Sequence, residues 1–386
     1  MSILSGNQDL SELLDLLSEE LDIPEEKQAK AKREYDRLGK WLEADHVERY
    51  RANASIYPQG STKLGTAVMP ISTDSDYDVD LVYRREIGKT STTQQNLMDQ
   101  LGEQLAAFVA ASHGEALETP SATPGRRCWT LEYPSQFHMD VLPAIPDDDS
   151  DSDDAILIPD RDLVEWQMSN PRGYAAWFAQ CEQAVFELRL QEMAKTAQVD
   201  VEEFPQERVR TPLRQAVRLL KRHRDLWSLD RSGHKPTSII LTTLAALAYS
   251  GEGTTGAAFV RIVNALEEGI EIRHGEYWIP NPANLGENFA DKWGGDPARA
   301  DEFFAWTRAL RADVEDATSR PGIQRVADAL SPLFGVEAVR SAAIAFGKRR
   351  LAERESGRLR MRAGSGNVGS TGRVKVQEHT NYGEDW

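Results

Sequence analysis

One seven-residue run constrains this chain more than any other: Tyr77-Asp78-Val79-Asp80-Leu81-Val82-Tyr83. Its alternation is that of a half-buried β-strand. Side chains two apart in a strand share a face, so Asp78 and Asp80 project together. Val79, Leu81 and Tyr83 project the other way. Two adjacent carboxylates repel and cost free energy unless a cation or a proton sits between them. Such a strand belongs to a sheet with an apolar core behind it and an acidic face in front.

Phosphoryl and nucleotidyl transferases use a carboxylate pair of this kind to hold magnesium, which favours hard oxygen ligands and substrate phosphates. A third carboxylate, Asp140, lies in a second alternating strand, His138-Met139-Asp140-Val141-Leu142. Placed beside the first strand, it can bridge the metal that activates an attacking hydroxyl. Upstream, Gln59-Gly60-Ser61 precedes a stretch able to start a short helix. A Gly-Ser turn lets backbone N–H groups approach a phosphate, and Ser61 adds a hydroxyl donor. Singly, these features are a solvated strand face, a turn and a lone acid. In this order and spacing they point to a nucleotidyltransferase site.

Composition excludes several alternatives. The 386 residues predict two or three domains. The net charge of −17 argues against a protein that coats DNA or RNA, so no extended nucleic acid is expected as a partner. A local Lys/Arg cluster still suffices for a phosphorylated small ligand. The apolar run Ile239–Ala248 is far short of the roughly 20 residues a membrane span needs. The polar start Met1–Leu10 lacks a signal-peptide pattern. Two cysteines, Cys128 and Cys181, build neither a disulfide framework nor a four-cysteine zinc site. A cytoplasmic protein without a membrane partner is expected.

Helices are expected over residues 8–50, where Leu10, Leu13, Leu14 and Leu17 recur at helical spacing, and over 92–112. Short strands are expected at Trp129–Tyr133 and Gln136–Leu142. The acidic run Asp147–Asp154 reads as an exposed loop, since it lacks the glycine and terminal glutamate of an EF-hand. From residue 160 the chain is mostly helical. Thr211-Pro212 opens one helix as N-cap and first helical residue, and Ser238 caps another at Ile239–Tyr249. Gly275–Gly295 reads as turns, and residues 363–386 as a flexible tail. His138 and His223 each lack a histidine partner at helical spacing and read as hydrogen-bonded structural groups. Trp166 and Tyr174 read as packing between lobes.

On the Thr211 helix, Arg214, Arg218 and Lys221 form a basic stripe opposite Leu213, Val217 and Leu220. By itself the stripe is either a solvated face or a phosphate contact, with Lys221 the candidate. Ser238 is either a plain N-cap or a phosphate contact at a helix N-terminus.

Gly60-Ser61, Tyr77-Asp78-Val79-Asp80 and His138-Met139-Asp140-Val141-Leu142-Pro143 together resemble the polymerase-β-like nucleotidyltransferases. Leu157-Ile158-Pro159-Asp160, Leu220-Lys221-Arg222-His223-Arg224-Asp225 and Asn281-Pro282, with Glu287-Asn288-Phe289 and Trp293, narrow the resemblance. It becomes one to the bacterial cGAS/DncV-like nucleotidyltransferases (CD-NTases) of CBASS anti-phage systems, over roughly residues 50–300. The resemblance implies an α/β, two-lobed fold with a mixed-sheet catalytic lobe and a helical lobe. The expected division is 1–158, 159–362 and a 363–386 tail. It implies that Gln59, Gly60, Ser61, Lys221 and Ser238 bind the nucleotide, and that Asp78, Asp80 and Asp140 hold two Mg2+ ions, with Mn2+ as a substitute. The implied substrates are ATP, GTP, CTP or UTP, and the product a cyclic di- or trinucleotide messenger. The tail, after a basic stretch at 348–362, is a candidate site for a CBASS regulatory partner. The alternatives are a non-cyclising nucleotidyltransferase (linear oligonucleotides, RNA tailing or adenylylation) and an inactive nucleotide sensor.

Overall fold

The computed structural model describes residues 8–43, 54–72, 76–112, 119–134, 136–161, 165–198, 200, 209–358, 360–361, 368–369 and 374–375. The N-terminal part holds α1 (Gln8–Glu20), α2 (Glu25–Glu43), β1 (Ala54–Pro58), α3 (Gly60–Leu64), β2 (Tyr77–Arg85), α4 (Gln94–Ser112), β3 (Ser121–Pro124), β4 (Trp129–Tyr133), β5 (Phe137–Pro146), β6 (Ile156–Ile158) and β7 (Gln167–Ser169). These strands form one mixed sheet in the order β1-β2-β5-β4-β3, with β6 on β5 and β7 on β6. Only the central pair, β2 with β5, is parallel; its neighbours β1 and β4 run antiparallel.

The alternation in β2 and β5 sorts the two faces. Val79, Leu81, Tyr83, Met139 and Val141 point into a core shared with Leu38 of α2 and Leu101, Leu105 and Phe108 of α4. Each such fully buried side chain contributes about 1.5–3 kcal/mol. The opposite face carries Asp78, Asp80 and Asp140. Further along the same strands it turns apolar at Val82, Leu142 and Ala144, which pack against Ile156 and Ile158.

The remainder holds α5 (Pro171–Ala197), α6 (Pro212–Trp227), α7 (Ser238–Ala248), α8 (Thr255–Ala265), β8 (Glu271–Arg273), β9 (Glu276–Trp278), β10 (Pro280–Asn281), β11 (Asn284–Asn288), α9 (Asp291–Gly295), α10 (Ala298–Ser319), α11 (Ile323–Phe334) and α12 (Val336–Glu355). Thr211 caps α6 as expected, accepting from the Arg214 N–H, with Pro212 at the first helical position. At α7 the expectation is off by one residue. Thr237 takes the N-cap position, and Ser238 is already helical. The Gly275–Gly295 segment contains the second strand of one hairpin, the whole of another and a helical turn besides its turns. His274 and Gly275, both at positive φ, make the two-residue link between β8 and β9.

Sequence grouped both leading helices with the sheet, but α1 packs elsewhere. Leu10, Leu13, Leu14 and Leu17 are buried in the helical core, beside Leu213, Phe259 and Phe334. Arg350 of α12 fastens α1 by donating to Asp9 at 2.9 Å and Glu12 at 2.6 Å. Arg349 pairs with Glu12 at 3.1 Å, so part of the basic stretch at 348–362 faces an acidic helix. After α12, β12 (Arg360–Met361) pairs with β13 (Val368–Gly369) and β14 (Val374–Lys375). Most of the expected tail lies outside the described residues, as do positions 44–50 of the expected helices.

The other expectations have structural counterparts. His223 accepts from Trp306 Nε1 at 3.1 Å and lies 3.0 Å from Asp313. The Tyr174 hydroxyl meets Thr243 at 2.8 Å, inside the helical core rather than between lobes. Trp166 packs on Ile145 and Leu157. Along the acidic run, Asp148 and Asp149 are exposed while Asp147 is buried.

Candidate active site

Register does most of the work of assembling the acids. In the parallel pair, Asp80 stands opposite Asp140, and Asp78 opposite His138. On the other side of β5, Thr130 stands opposite Asp140. Residues paired this way project to one face, so Thr130, Asp140 and Asp80 form a row across three strands. The Thr130 hydroxyl donates to Asp140 Oδ1 at 2.5 Å and fixes one carboxylate oxygen. His138 Nε2 is 3.1 Å from Asp76 Oδ2, and its Nδ1 is 3.8 Å from Asp78 Oδ1. The imidazole thus stands between Asp76 and the first acid of the pair. The Asp78 side chain is 73% exposed and open to a ligand.

The Gly-Ser turn is fitted against this row. The Gln59 N–H donates to the Asp80 carbonyl at 2.8 Å, which ties the turn to β2. Gly60 opens α3 at φ +57°, a region that disfavours side chains. A Cβ there would lie 2.3 Å from Asp80 Oδ2. Glycine is therefore demanded twice, by the backbone angle and by the carboxylate beside it. Ser61 is in the first turn and partly exposed, and its carbonyl accepts from Thr66 N at 2.9 Å.

Burial, then the neighbouring Asp140 and Asp78 carboxylates, raise the Asp80 pKa to about 6, with Lys221 opposing. This is the repulsion inferred from the strand pattern, and a bound cation relieves it. Cys128 lies beside the row. Burial and the Asp140 carboxylate push its thiol up to about 11, so it is a neutral wall rather than a nucleophile. Among the described residues, no three carboxylate, imidazole or thiol groups already stand as a closed metal cage. The donor chemistry of the row nevertheless suits a hard divalent cation: carboxylate oxygens on one face, mutually repelling and partly open.

The basic stripe of α6 is not a solvated face. Arg218 and Lys221 are buried, as are Arg222 and Arg224 beyond the stripe. Lys221 Nζ donates to the Thr66 carbonyl at 3.0 Å and the Thr66 hydroxyl at 3.1 Å. Burial, followed by the nearby Arg224 charge, lowers its pKa to about 7. It thus stands behind the Gly-Ser turn and acts electrostatically on Asp80. Arg218 donates to the Gly65 carbonyl at 3.0 Å and Arg222 to that of Met69 at 2.6 Å. Ser238 is exposed, and its hydroxyl accepts from Arg224 at 2.8 Å.

Sequence reasoning missed Thr130, Thr66 and Lys235. Lys235, half-exposed and paired with Asp225 at 2.7 Å, acts electrostatically on Asp78. Thr130 was open to inference once β4 was expected to pair with β5. Nothing in the local sequence marks the other two.

Residues 9–182 match the family described as the Second Messenger Oligonucleotide or Dinucleotide Synthetase domain. The chain is 28% identical to a c-di-GMP synthase of Roseivirga ehrenbergii, over 84% of each chain. It is 24% identical to the cyclic dinucleotide synthase CdnG of Bradyrhizobium diazoefficiens, over 97% of this chain and 95% of that one. The fold superposes on the structure of Bradyrhizobium diazoefficiens CD-NTase CdnG in complex with GTP, with a TM-score of 0.68 and 21% identity. That match covers 88% of this chain and 100% of the other. Among the described residues, no helix is long and apolar enough to cross a membrane. Residues 9–182 include all seven strands of the large sheet, and this chain is a nucleotidyltransferase that is similar to the cGAS/DncV-like (CD-NTase) enzymes.

Proposed function

We propose that this chain is a Mg2+-dependent synthase that joins nucleoside triphosphates into a cyclic dinucleotide second messenger. The observation that carries the reading is the Asp80–Asp140 register pair, with Gly60 pressed against Asp80. A carboxylate pair with a Gly-Ser turn beside it supports reading the pair as metal ligands and the turn as a phosphate contact. Two relatives named as cyclic dinucleotide synthases support a two-nucleotide ring, and their names and the bound GTP of one support GTP as a substrate.

Asp78, Asp80 and Asp140 would hold the Mg2+, which supplies charge neutralisation of the triphosphate and lowers the pKa of the attacking hydroxyl. The chain's own groups then divide the remaining work. Thr130 holds one oxygen of Asp140, leaving the other to accept a hydrogen bond from the ribose hydroxyl. The Gly60 and Ser61 N–H groups and the Ser61 hydroxyl meet the phosphates, and Ser238 meets them from the helical side. Lys221 contributes positive charge from behind the turn. Pyrophosphate leaves, and a second transfer in the same site closes the ring.

In a cell this activity would serve CBASS anti-phage signalling from the cytoplasm, with residues beyond α12 available to a regulatory partner. The deciding experiment incubates the purified chain and Mg2+ with labelled ATP, GTP, CTP and UTP, followed by phosphatase and mass spectrometry. A phosphatase-resistant cyclic dinucleotide is expected. A phosphatase-sensitive ladder would instead mean linear extension, and no product would mean a sensor.

A further inference from the structure

The α6 cations pose a problem that the nucleotide site does not solve. Arg218 and Arg222 are each only 6% exposed. The Nε of Arg222 and the Nε and Nη1 of Arg218 are buried without a hydrogen-bond partner. Burying a guanidinium with part of its donor set unused is costly, and an apolar side chain of similar length would fill the volume at lower cost. Their use must lie in what the remaining donors hold.

What they hold is a backbone segment. Gly65–Met69 leaves the end of α3 with no regular structure of its own. Arg218 Nη2 donates to the Gly65 carbonyl and Arg222 Nη2 to the Met69 carbonyl, while Lys221 takes the carbonyl and hydroxyl of Thr66 between them. The other side of the segment is held by the corner between α1 and α2. Met69 N–H donates to the Leu21 carbonyl at 2.9 Å, and Asp22 Oδ1 meets Arg218 Nη2 at 3.1 Å. The segment in turn holds the turn before it, through Thr66 N–H to the Ser61 carbonyl.

We propose that Arg218 and Arg222 are positioning residues that fix the Gly60-Ser61 turn against the acidic face by clasping the backbone of Gly65–Met69. The functional half of this rests on the reading of that turn as a phosphate contact. Three successive cations on one helix reading three carbonyls of one segment set its height as well as its direction. A turn left free to move must be ordered when the triphosphate binds, and that ordering weakens binding.

The test uses the full chain with two variants. Arg222→Met removes a cation whose hydrogen-bond partner is a carbonyl. Asp22→Asn combined with Arg218→Met removes both members of that ion pair, and Arg210, which also lies 3.4 Å from Asp22, keeps Glu19 at 3.4 Å. Amide exchange without nucleotide is followed at Thr66 and Met69, and KM and kcat are measured with labelled GTP. Exchange at both amides is expected to rise about tenfold or more. KM should rise about tenfold, the cost of ordering the loosened turn on binding, with kcat changing less than about threefold. Arg222→Lys, which keeps one donor, should recover most of the KM. Unchanged exchange in a folded variant overturns the clasp, whatever the kinetics. Faster exchange with an unchanged KM overturns its role in nucleotide binding. Should Arg222→Met fail to fold, the paired variant decides by the same two readouts. A wild-type chain inactive on every nucleotide would defeat the synthase reading, while exchange would still report on the clasp.

Discussion

The acidic face of the sheet and the basic face of α6 look equivalent in sequence: like charges at the spacing of one side of an element. In the structure they are opposites. Asp78, Asp80 and Asp140 crowd together, with Lys221 and Lys235 opposing their repulsion without pairing with them, and Asp78 is open to solvent. Arg218 and Lys221 are closed off, aimed at backbone carbonyls a few ångströms away. A repelling cluster left exposed is poised for a ligand, whereas a buried cation with a carbonyl partner already has its ligand. Periodicity tells which side chains share a face. What covers that face is a tertiary fact.

The largest effect should come from breaking the acidic side. Replacing Asp78→Asn together with Asp80→Asn is expected to reduce product formation at least about a thousandfold, because charge developing in transfer goes uncompensated. Thermal stability should hold or rise, since the repulsion that lifts the Asp80 pKa is removed. A folded double variant with normal turnover would refute the site. A variant that unfolds would make these acids structural, like the α6 cations.

Next is Gly60→Ala, which tests whether turn and carboxylate are truly pressed together. The added Cβ would sit 2.3 Å from Asp80 Oδ2 at a φ of +57°. Turnover should fall about a hundredfold through displacement of the turn. Stability should fall by about 1–3 kcal/mol through the strained backbone. Steady-state kinetics and urea unfolding separate the two, and full activity would mean that Asp80 moves aside freely.

On the basic side, Lys221→Ala should cost about 2 kcal/mol of stability, since it leaves the buried Thr66 groups unpaired. A solvated stripe would predict a cost within about 0.5 kcal/mol. Urea midpoints discriminate between these directly, and the smaller value would return Lys221 to the surface.

How much of this was legible beforehand follows the range of the forces involved. The β2 and β5 strands, the opposing faces and the α6 cap are local and were readable from alternation and from Thr211-Pro212. The pairing of Asp80 with Asp140 was only an expected neighbourhood, because register between strands 60 residues apart is set by the whole sheet. The burial of Lys221 was illegible, since the covering segment Gly65–Met69 is 155 residues away from it. The docking of α1 on α12 was hidden for the same reason. A leucine stripe says that a helix is buried and leaves open which core it joins.

The smallest effect should come from Lys235, a cation outside the buried set. Its side chain is 52% exposed and pairs with Asp225, whose same oxygen Arg224 also holds at 2.6 Å. Losing one arm of an exposed pair should leave stability within about 0.5 kcal/mol. Its ammonium acts on Asp78, so it contributes to the field an incoming triphosphate meets. Lys235→Ala should therefore raise the KM for GTP about two- to fivefold at low salt, the scale of an exposed charge contact. In about 0.5 M salt the Debye length falls well below 10 Å, and the difference from wild type should vanish. A melting drop as large as that of Lys221→Ala would place Lys235 among the interior cations. A KM unchanged at low salt would confine it to Asp225. A KM effect that persists in high salt would mean direct, desolvated contact with the nucleotide, and the contrast between an open acidic face and a sealed basic one would then need a third, mobile charge.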